Sequence, residues 1–486
     1  MAITSNYVPT PSANKQTLAS AYIDFTGAGN DWAQQYVPDL MEQEAEVFGT
    51  RTISGFLEQV GAEESMTADQ VVWSEQGRLH LSYEATLAGT NGLTLAVTKD
   101  ADGQVPAAYT AADNSKAHGM RAGDMLLVAD ADKTVKAYVS SVAADGVVSI
   151  QPYNAATMTA AGVANGTVKV LVFGSEYSKG AEGRNSANKA NFKSYDNKPI
   201  IIKDKYEISG SDASQIGWVE VAGEEGQSGY LWYLKSEGDT RARFTDYLEM
   251  AMIESEKATG DGITDLAALS AGGTSGAITG TEGLFAAIEA RGNETTGVTG
   301  VNAATDLAEF DLILAEFDKN GAIEENMMFV NRATALAIDD MLASMNSYGA
   351  GGTSYGVFDN DEDMAINLGF SGFRRGSYDF YKSDWKYLND LATRGIINDT
   401  NTVGAIRGVV IPAGVSSVYD QQLGKNLKRP FLHVRFRASQ TDDRRFKTWT
   451  TGSVGAVTSD LDAMEVHYLS ERCLVVQGAN NFMLMN

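Results

Sequence analysis

Four histidines, one cysteine and one dense run of acidic residues are the groups in this 486-residue chain whose types suit chemistry. His80, His118, His433 and His467 have no second His or Cys at a metal-ligand spacing, so no zinc site is expected. His433 and His467 alternate with apolar residues, as satisfied structural histidines in strands do. Cys473 stands in an apolar run and reads as a small core residue; as the single cysteine it excludes an intrachain disulfide. Asp359 to Asp363 (DNDED) offers oxygen ligands. It lacks the Gly at the sixth position and the Glu at the twelfth of an EF-hand, so it reads as a solvated acidic loop. No GxSxG elbow and no GxxxxGK[ST] phosphate loop occurs. The Gly-rich stretch Ser347 to Val357 (SYGAGGTSYGV) lacks the strand-to-helix setting and the basic residue that cradle phosphate, and reads as a flexible loop. Aromatic residues next to basic ones in FLHVRFR and RRFKTW have the make-up of a stacking platform for single-stranded nucleic acid. Paired carboxylates for acid hydrolysis need only be close in space, and nothing in the sequence selects a pair. No catalytic residue, cofactor or metal is expected, and the chain does not read as an enzyme.

Composition narrows the classes further. Hydrophobic residues make up 43% and charged residues 21%, the balance of a folded soluble protein with room for two to four domains. No apolar run approaches the roughly 18 to 20 residues of a membrane span. The opening MAITSNYVPTPSANK has no basic region followed by an apolar core, so no signal peptide is expected. The formal net charge is −25, which opposes non-specific coating of nucleic acid and favours core or interface roles for the aromatic-basic runs. Two basic segments interrupt the acidic body, Lys179 to Lys205 and Lys425 to Lys447. Such segments suit contacts with acidic faces of identical neighbours.

The elements that would position any of these groups begin with Thr240 to Lys257. Phe244, Tyr247, Leu248, Ala251 and Met252 recur at three- and four-residue spacing and predict one apolar stripe. Ser236 and Asp239 stand as a capping sequence before it, Gly260 as its stop, and Glu249 and Glu254 away from the stripe. Upstream, Lys198 to Val221 alternates like a strand. Ile200, Ile202, Tyr206 and Ile208 share one face, with Lys203, Lys205 and Glu207 on the other. Between Leu87 and Phe173, short β-type runs (LTLAV, MLLVA, VKAYVSSV, VVSI, VKVLVF) separated by Gly, Asn and Asp turns predict a small sandwich or barrel. Later, Thr281 to Arg291, Asp306 to Lys319 and Thr334 to Met345 read as helices. Asn326 to Asn331, Gly408 to Ile411, Phe431 to Arg437, Met464 to Leu469 and Cys473 to Gln477 read as strands.

The runs SYDNKPIIIKDKYEISGSDASQIGWVEV (Ser194 to Val221) and YLWYLKSEGDTRARFTDYLEMAMIESEKATG (Tyr230 to Gly260) resemble the extended loop and spine helix of tailed-phage major capsid proteins, most like the crAss-like phage group. The resemblance implies an α+β chain with the Hong Kong 97-like major capsid fold. Residues 1–67 would be an N-terminal arm, 68–86 and 174–229 the extended hairpin loop, and 87–173 an inserted β-rich domain. Residues 230–262 and 404–486 would form the peripheral domain with the spine helix, and 263–403 the axial domain. It further implies self-assembly as hexamers and pentamers into an icosahedral shell enclosing double-stranded phage DNA without sequence-specific binding. The partners would be other copies of the chain, with scaffolding, portal and decoration proteins, and no membrane. The chain would assemble in the bacterial cytoplasm and reside in the virion capsid. Inter-subunit contacts are expected at Lys198, Ile200, Ile202, Lys203, Lys205, Arg435 and Arg437. The alternative reading is a secreted or surface carbohydrate-binding, adhesin-like β-rich module, motivated by the insertion.

Overall fold

The structure, a computed structural model, describes residues 56–57, 62–77, 80–101, 103, 118–183, 192–213, 221–222, 228–229, 232–258, 278–346, 372–400, 404–413, 415–420, 425–453 and 458–486. The proposed N-terminal arm up to residue 55, Gly260, the Ser347 to Val357 stretch and DNDED lie outside them. The chain divides into two units, residues 1–59, 201–253 and 436–472 in one and 60–200, 254–435 and 473–486 in the other.

The second of these contains the β-rich segment, and it is a closed barrel. Six strands close it in the order β2 (Ser82–Ala88), β3 (Thr94–Asp100), β6 (Val148–Pro152), β5 (Thr134–Val142), β4 (Asp124–Ala129) and β7 (Gly166–Ser175). Each predicted run falls in one of these strands. Inward positions such as Ala85, Leu87, Leu126, Val128, Val139 and Val170 are buried together, so the barrel is filled by side chains. Its turns follow the chemistry of their residues. The Asp130 carboxylate accepts from the backbone N–H of Asp132 and Lys133 at 2.9 and 2.6 Å, an Asx turn whose hydrogen bonds hold that carboxyl below its usual range. The barrel extends past the expected edges of 87 and 173, because Ser82 to Ala88 pairs with both β3 and β7.

Strands β1 (Val71–Gln76) and β8 (Phe192–Asn197) flank the barrel in sequence and pair antiparallel with each other, from Val71 opposite Asn197 to Gln76 opposite Phe192. The barrel therefore sits on a two-stranded stalk. Trp73 and Tyr195 are directly opposite, and the Arg291 guanidinium lies over both rings, 5.6 Å and 4.5 Å from their centroids. Arg291 is ion-paired to Glu282 at 2.6 Å. The fully buried Asn197 closes the footing: its amide donates to the carbonyls of Leu474 (2.6 Å) and Glu282 (3.0 Å), and its oxygen accepts from the Glu282 N–H (2.9 Å).

In the other unit, β9 (Ile200–Ser209, entering this unit at residue 201) leads toward a 23-residue helix, α1 (Trp232–Glu254, whose last residue belongs to the barrel-bearing unit). At ~1.5 Å per residue it spans about 35 Å. It starts eight residues before the predicted Thr240 and ends three before Lys257. Ser236 is not a cap but lies inside the helix, where its carbonyl accepts from the Thr240 hydroxyl. Phe244, Leu248 and Met252 are buried as expected. Tyr247 is 45% exposed, outside the stripe, and Glu249 is buried, accepting from the Leu57 N–H at 3.1 Å. Phe244 and Leu248 pack with Val466 and Tyr468, joined by Ile202, Tyr206, Phe446 and Met464. The strand carrying Val466 runs unbroken from Ala463 to Val476. The expectation had split it at Ser470, Glu471 and Arg472, which are buried.

The barrel-bearing unit also holds a six-stranded mixed sheet with helices α2 (Leu284–Arg291), α3 (Ala303–Asn320) and α4 (Arg332–Asn346). Its order is β10 (Asn293–Thr295), β15 (Met483–Met485), β14 (Gly408–Pro412), β11 (Glu325–Val330), β13 (Tyr378–Asp384) and β12 (Gly372–Arg375). Asn302 caps α3 by accepting from the Thr305 N–H, and Gly321 ends it in the left-handed conformation at φ 62°. Phe310, Ile313 and Phe317 of α3 meet Ile338, Met341 and Leu342 of α4 above Phe380 and Val410. β14 and β15 fall within 404–486, the stretch assigned to the peripheral domain. They pair with the strands expected to be axial, because Val409 and Val410 are buried on both faces, as central strands require.

Candidate interaction surfaces

Among the described residues, no group of three or more His, Cys, Asp or Glu is placed to share a metal ion. No helix among them is long and apolar enough to cross a membrane. Two of the histidines have local partners within the fold. His118 is buried with Nε2 2.6 Å from the Gly146 carbonyl. His467 stacks on Trp449 at 5.1 Å, with Nε2 2.7 Å from the Thr451 hydroxyl. His433 is buried in the Leu432–Arg437 strand, and His80 is exposed. Cys473 is fully buried, and burial pushes its thiol up to about 12, with Arg435 acting weakly the other way.

The alternation of β9 is as read, but its apolar face is used within the chain. Ile202 and Tyr206 pack against the stripe of α1, and Asp204, on the same face, lies 3.7 Å from Arg243 of that helix. Ile202 is therefore not free to supply area to a neighbour. Ile200 is half-buried. The opposite face carries Ile201 (53% exposed), Lys203 and Lys205. Lys205 pairs with Glu207 at 2.7 Å and Glu465 at 3.0 Å, which raises the ammonium's pKa and lowers that of Glu465. Lys198 and Lys203 are exposed. The sequence pattern separated the two faces of β9 correctly. Only the tertiary packing shows which one is left open.

In the second basic segment, the described basic side chains from Arg435 to Lys447 are held mostly within the chain. Arg435 pairs with Glu64 at 2.7 Å. Arg437 and Arg444 both reach the carboxylate of Glu471, at 2.9 and 2.7 Å. Arg445 lies over Phe436 at 5.7 Å, and Lys447 pairs with Asp442 at 2.7 Å. The reading of Arg435 and Arg437 as outward-facing contacts overlooked these distant acids; no local pattern in the sequence announces them.

A surface that the sequence did not single out lies on the barrel. Tyr153 (52% exposed) follows the end of β6, Phe173 (48%) stands on β7, and Tyr177 (41%) lies just past the end of β7. The Tyr153 hydroxyl donates to Glu176 at 2.7 Å, and its ring meets Tyr138 edge-on at 6.5 Å. Burial and the Glu176 carboxylate push the Tyr153 hydroxyl up to about 12.

No protein-family model matches the chain, and no curated protein matches it. Solved structures that resemble it include one from Microbacterium phage Oxtober96, at 10% identity over 96% of this chain and 99% of that one, with a TM-score of 0.38. The capsid structure of the cyanophage P-SCSP1u matches at 10% identity over 95% of each chain, TM-score 0.38. The capsid of a native GTA particle matches at 9% identity over 96% of this chain and 98% of that one, TM-score 0.36.

Proposed function

We propose that the chain is a self-assembling shell subunit, a tailed-phage major capsid protein of the Hong Kong 97-like class, most like the crAss-like group. The observation that carries this reading is local. The runs that bear the resemblance contain an extended strand, Ile200–Ser209, shorter than the expected Lys198 to Val221 and ended by a helical turn at Gly210–Ala213, and then the long helix Trp232–Glu254. The helix buries its stripe against that strand, as a rod meant to stiffen a subunit must.

Copies join as hexamers and pentamers into an icosahedral shell around double-stranded DNA. The net charge of −25 suits enclosing a polyanion without adhering to it. Closed symmetry requires complementary patches on every copy. The outer face of β9, with Ile201 and Lys203 free of the chain's own core, is the contact we assign to a neighbour, and Lys198, exposed ahead of the strand, is a separate candidate. Scaffolding, portal and decoration proteins are the further partners of such a shell, which is built in the bacterial cytoplasm and ends in the virion.

Negative-stain microscopy and light scattering of the purified protein test the reading. Shells, tubes or capsomer rings are the expected result. A strict monomer across protein and salt concentrations would overturn it.

A further inference from the structure

We infer that His467 is a proton switch on the open face of the sheet that carries β9. It trades the Glu465 carboxylate between itself and Lys205, and so sets how firmly a second copy of the chain attaches there. Its effect on attachment rests on the neighbour contact assigned to β9. The Ala463–Val476 strand pairs with β9 and with the Lys447–Gly452 strand, where Trp449 stands opposite His467 and Thr451 opposite Glu465. Val466 and Tyr468 turn to α1, so Glu465 and His467 lie on the other face. There the Glu465 carboxylate is shared. Its Oε1 meets Lys205 at 3.0 Å, while its Oε2 accepts from the Thr451 hydroxyl at 3.1 Å and lies 3.4 Å from His467 Nε2. The Thr451 oxygen is itself 2.7 Å from Nε2, and the stack on Trp449 holds the ring in place. The imidazole is 23% exposed, so water delivers its proton.

Histidine is the side chain whose ordinary charge change falls between about pH 5 and 8. The charged groups around this one are Glu465 on its own strand, Lys205 and Glu207 on β9, and Lys447 with its partner Asp442 on the third strand's side. Lys205 and Thr451 hold the Glu465 carboxyl below its usual range, so it stays ionised through that window. A neutral ring either accepts the Thr451 proton at Nε2 or donates there. A protonated ring must donate. The Thr451 proton then points to Glu465, and the new charge competes with Lys205 for the same carboxylate. Lys205 keeps Glu207, 2.7 Å away, as its other partner. While His467 is neutral, Glu207 and Glu465 balance Lys203 and Lys205; protonation leaves this face with a net positive charge. A neighbour of formal charge −25 meets that charge favourably. Acidification through the histidine range therefore strengthens attachment.

The switch is read first in the full-length chain kept dilute and unassembled, with nitrogen-15 in its histidines only. His467→Gln identifies the ring signal, and Trp449→Phe, which removes the stacked indole, identifies it again should that variant not fold. The signal's titration midpoint should fall in Glu465→Gln and rise in Lys205→Met, because the first removes the anion and the second its competitor. A midpoint that moves in neither overturns the switch. Light scattering then reads the neighbour. Growth of the parent at low salt should quicken about threefold or more between pH 8 and about pH 5.5, and most of that gain should vanish in His467→Gln. Glu465→Gln, which makes the face more positive without a proton, should grow at pH 8 much as the parent does in acid. Growth with the same pH profile in parent and His467→Gln overturns the inference and leaves the shell reading standing. No growth at any pH or salt overturns the shell reading and the attachment with it, and the ring titration alone then decides the switch.

Discussion

Glu471 sits in the middle of a strand that should have no room for it, buried and held by Arg437 and Arg444. Removing it leaves two partly exposed guanidiniums facing each other. Glu471→Ala is expected to cost about 2 to 4 kcal/mol, below the full value for a buried pair because water reaches the arginines. Denaturant unfolding that shows less than ~0.5 kcal/mol would mean the pair is dispensable. Two residues on, Cys473 makes a pH prediction. Its thiol ionises near 9.0 ordinarily and at about 12 in the fold. The neutral thiol is thus favoured by folding, and its contribution is intact below pH 9. It is lost progressively as pH rises toward 12, by an amount on the order of a few kcal/mol. Tyr153 and Tyr378, also pushed up to about 12, fall in the same direction. The comparison that isolates the cysteine is Cys473→Val, whose melting temperature should decline less steeply over that range. Sequence pattern identified Cys473 as core, because its neighbours are apolar. It broke the strand at Glu471, because the compensating arginines are 27 and 34 residues away.

At the level of elements, periodicity was legible wherever one face alone is buried. The stripe of α3 and the alternation of β9 follow their patterns, and α1 follows except at its ends and at Tyr247. The first turns of α1 extend through polar residues that look like a cap, and tertiary contacts override that local signal. Leu248→Ala should therefore cost ~2 to 5 kcal/mol and Tyr247→Ala well under half of that, read as the difference in unfolding midpoints. Equal shifts would remove the assignment of faces. Barrel strands were recognisable from short β-branched runs between turns, whereas the stalk was not. Its two strands are separated by the whole barrel, and what fixes them is the footing around Asn197 and Arg291. Replacing residues 77–191 with an Asn-Gly turn should join β1 and β8 as an ordinary hairpin and leave the remainder folded. The excised barrel should show a cooperative melt and a β-type circular dichroism spectrum. Precipitation of the remainder together with an unfolded excised piece would show that the barrel is not separable.

For the whole molecule, the open face of β9 makes the assembly prediction. Lys203→Glu should slow light-scattering growth most at low salt, since exposed charges act over roughly 8 to 10 Å at ordinary ionic strength. Ile201→Asp should suppress growth at every salt concentration, because a carboxylate buried at a contact goes unpaired. Neither should move the melting temperature of the unassembled chain by much, whereas Ile202→Asp should, because that side chain belongs to the packing against α1. Normal growth by Ile201→Asp would transfer the contact to another surface. The stalk has a different consequence. Its strands leave and re-enter the body of the chain at Gln76 and Phe192, a directly opposed antiparallel pair, so the two attachment points are only about 5 Å apart. Any foreign module whose own ends lie side by side meets that geometric condition without stretching the scaffold. If copies do form a shell, one genetic exchange at this port would repeat an antigen or an enzyme at regular intervals across a particle.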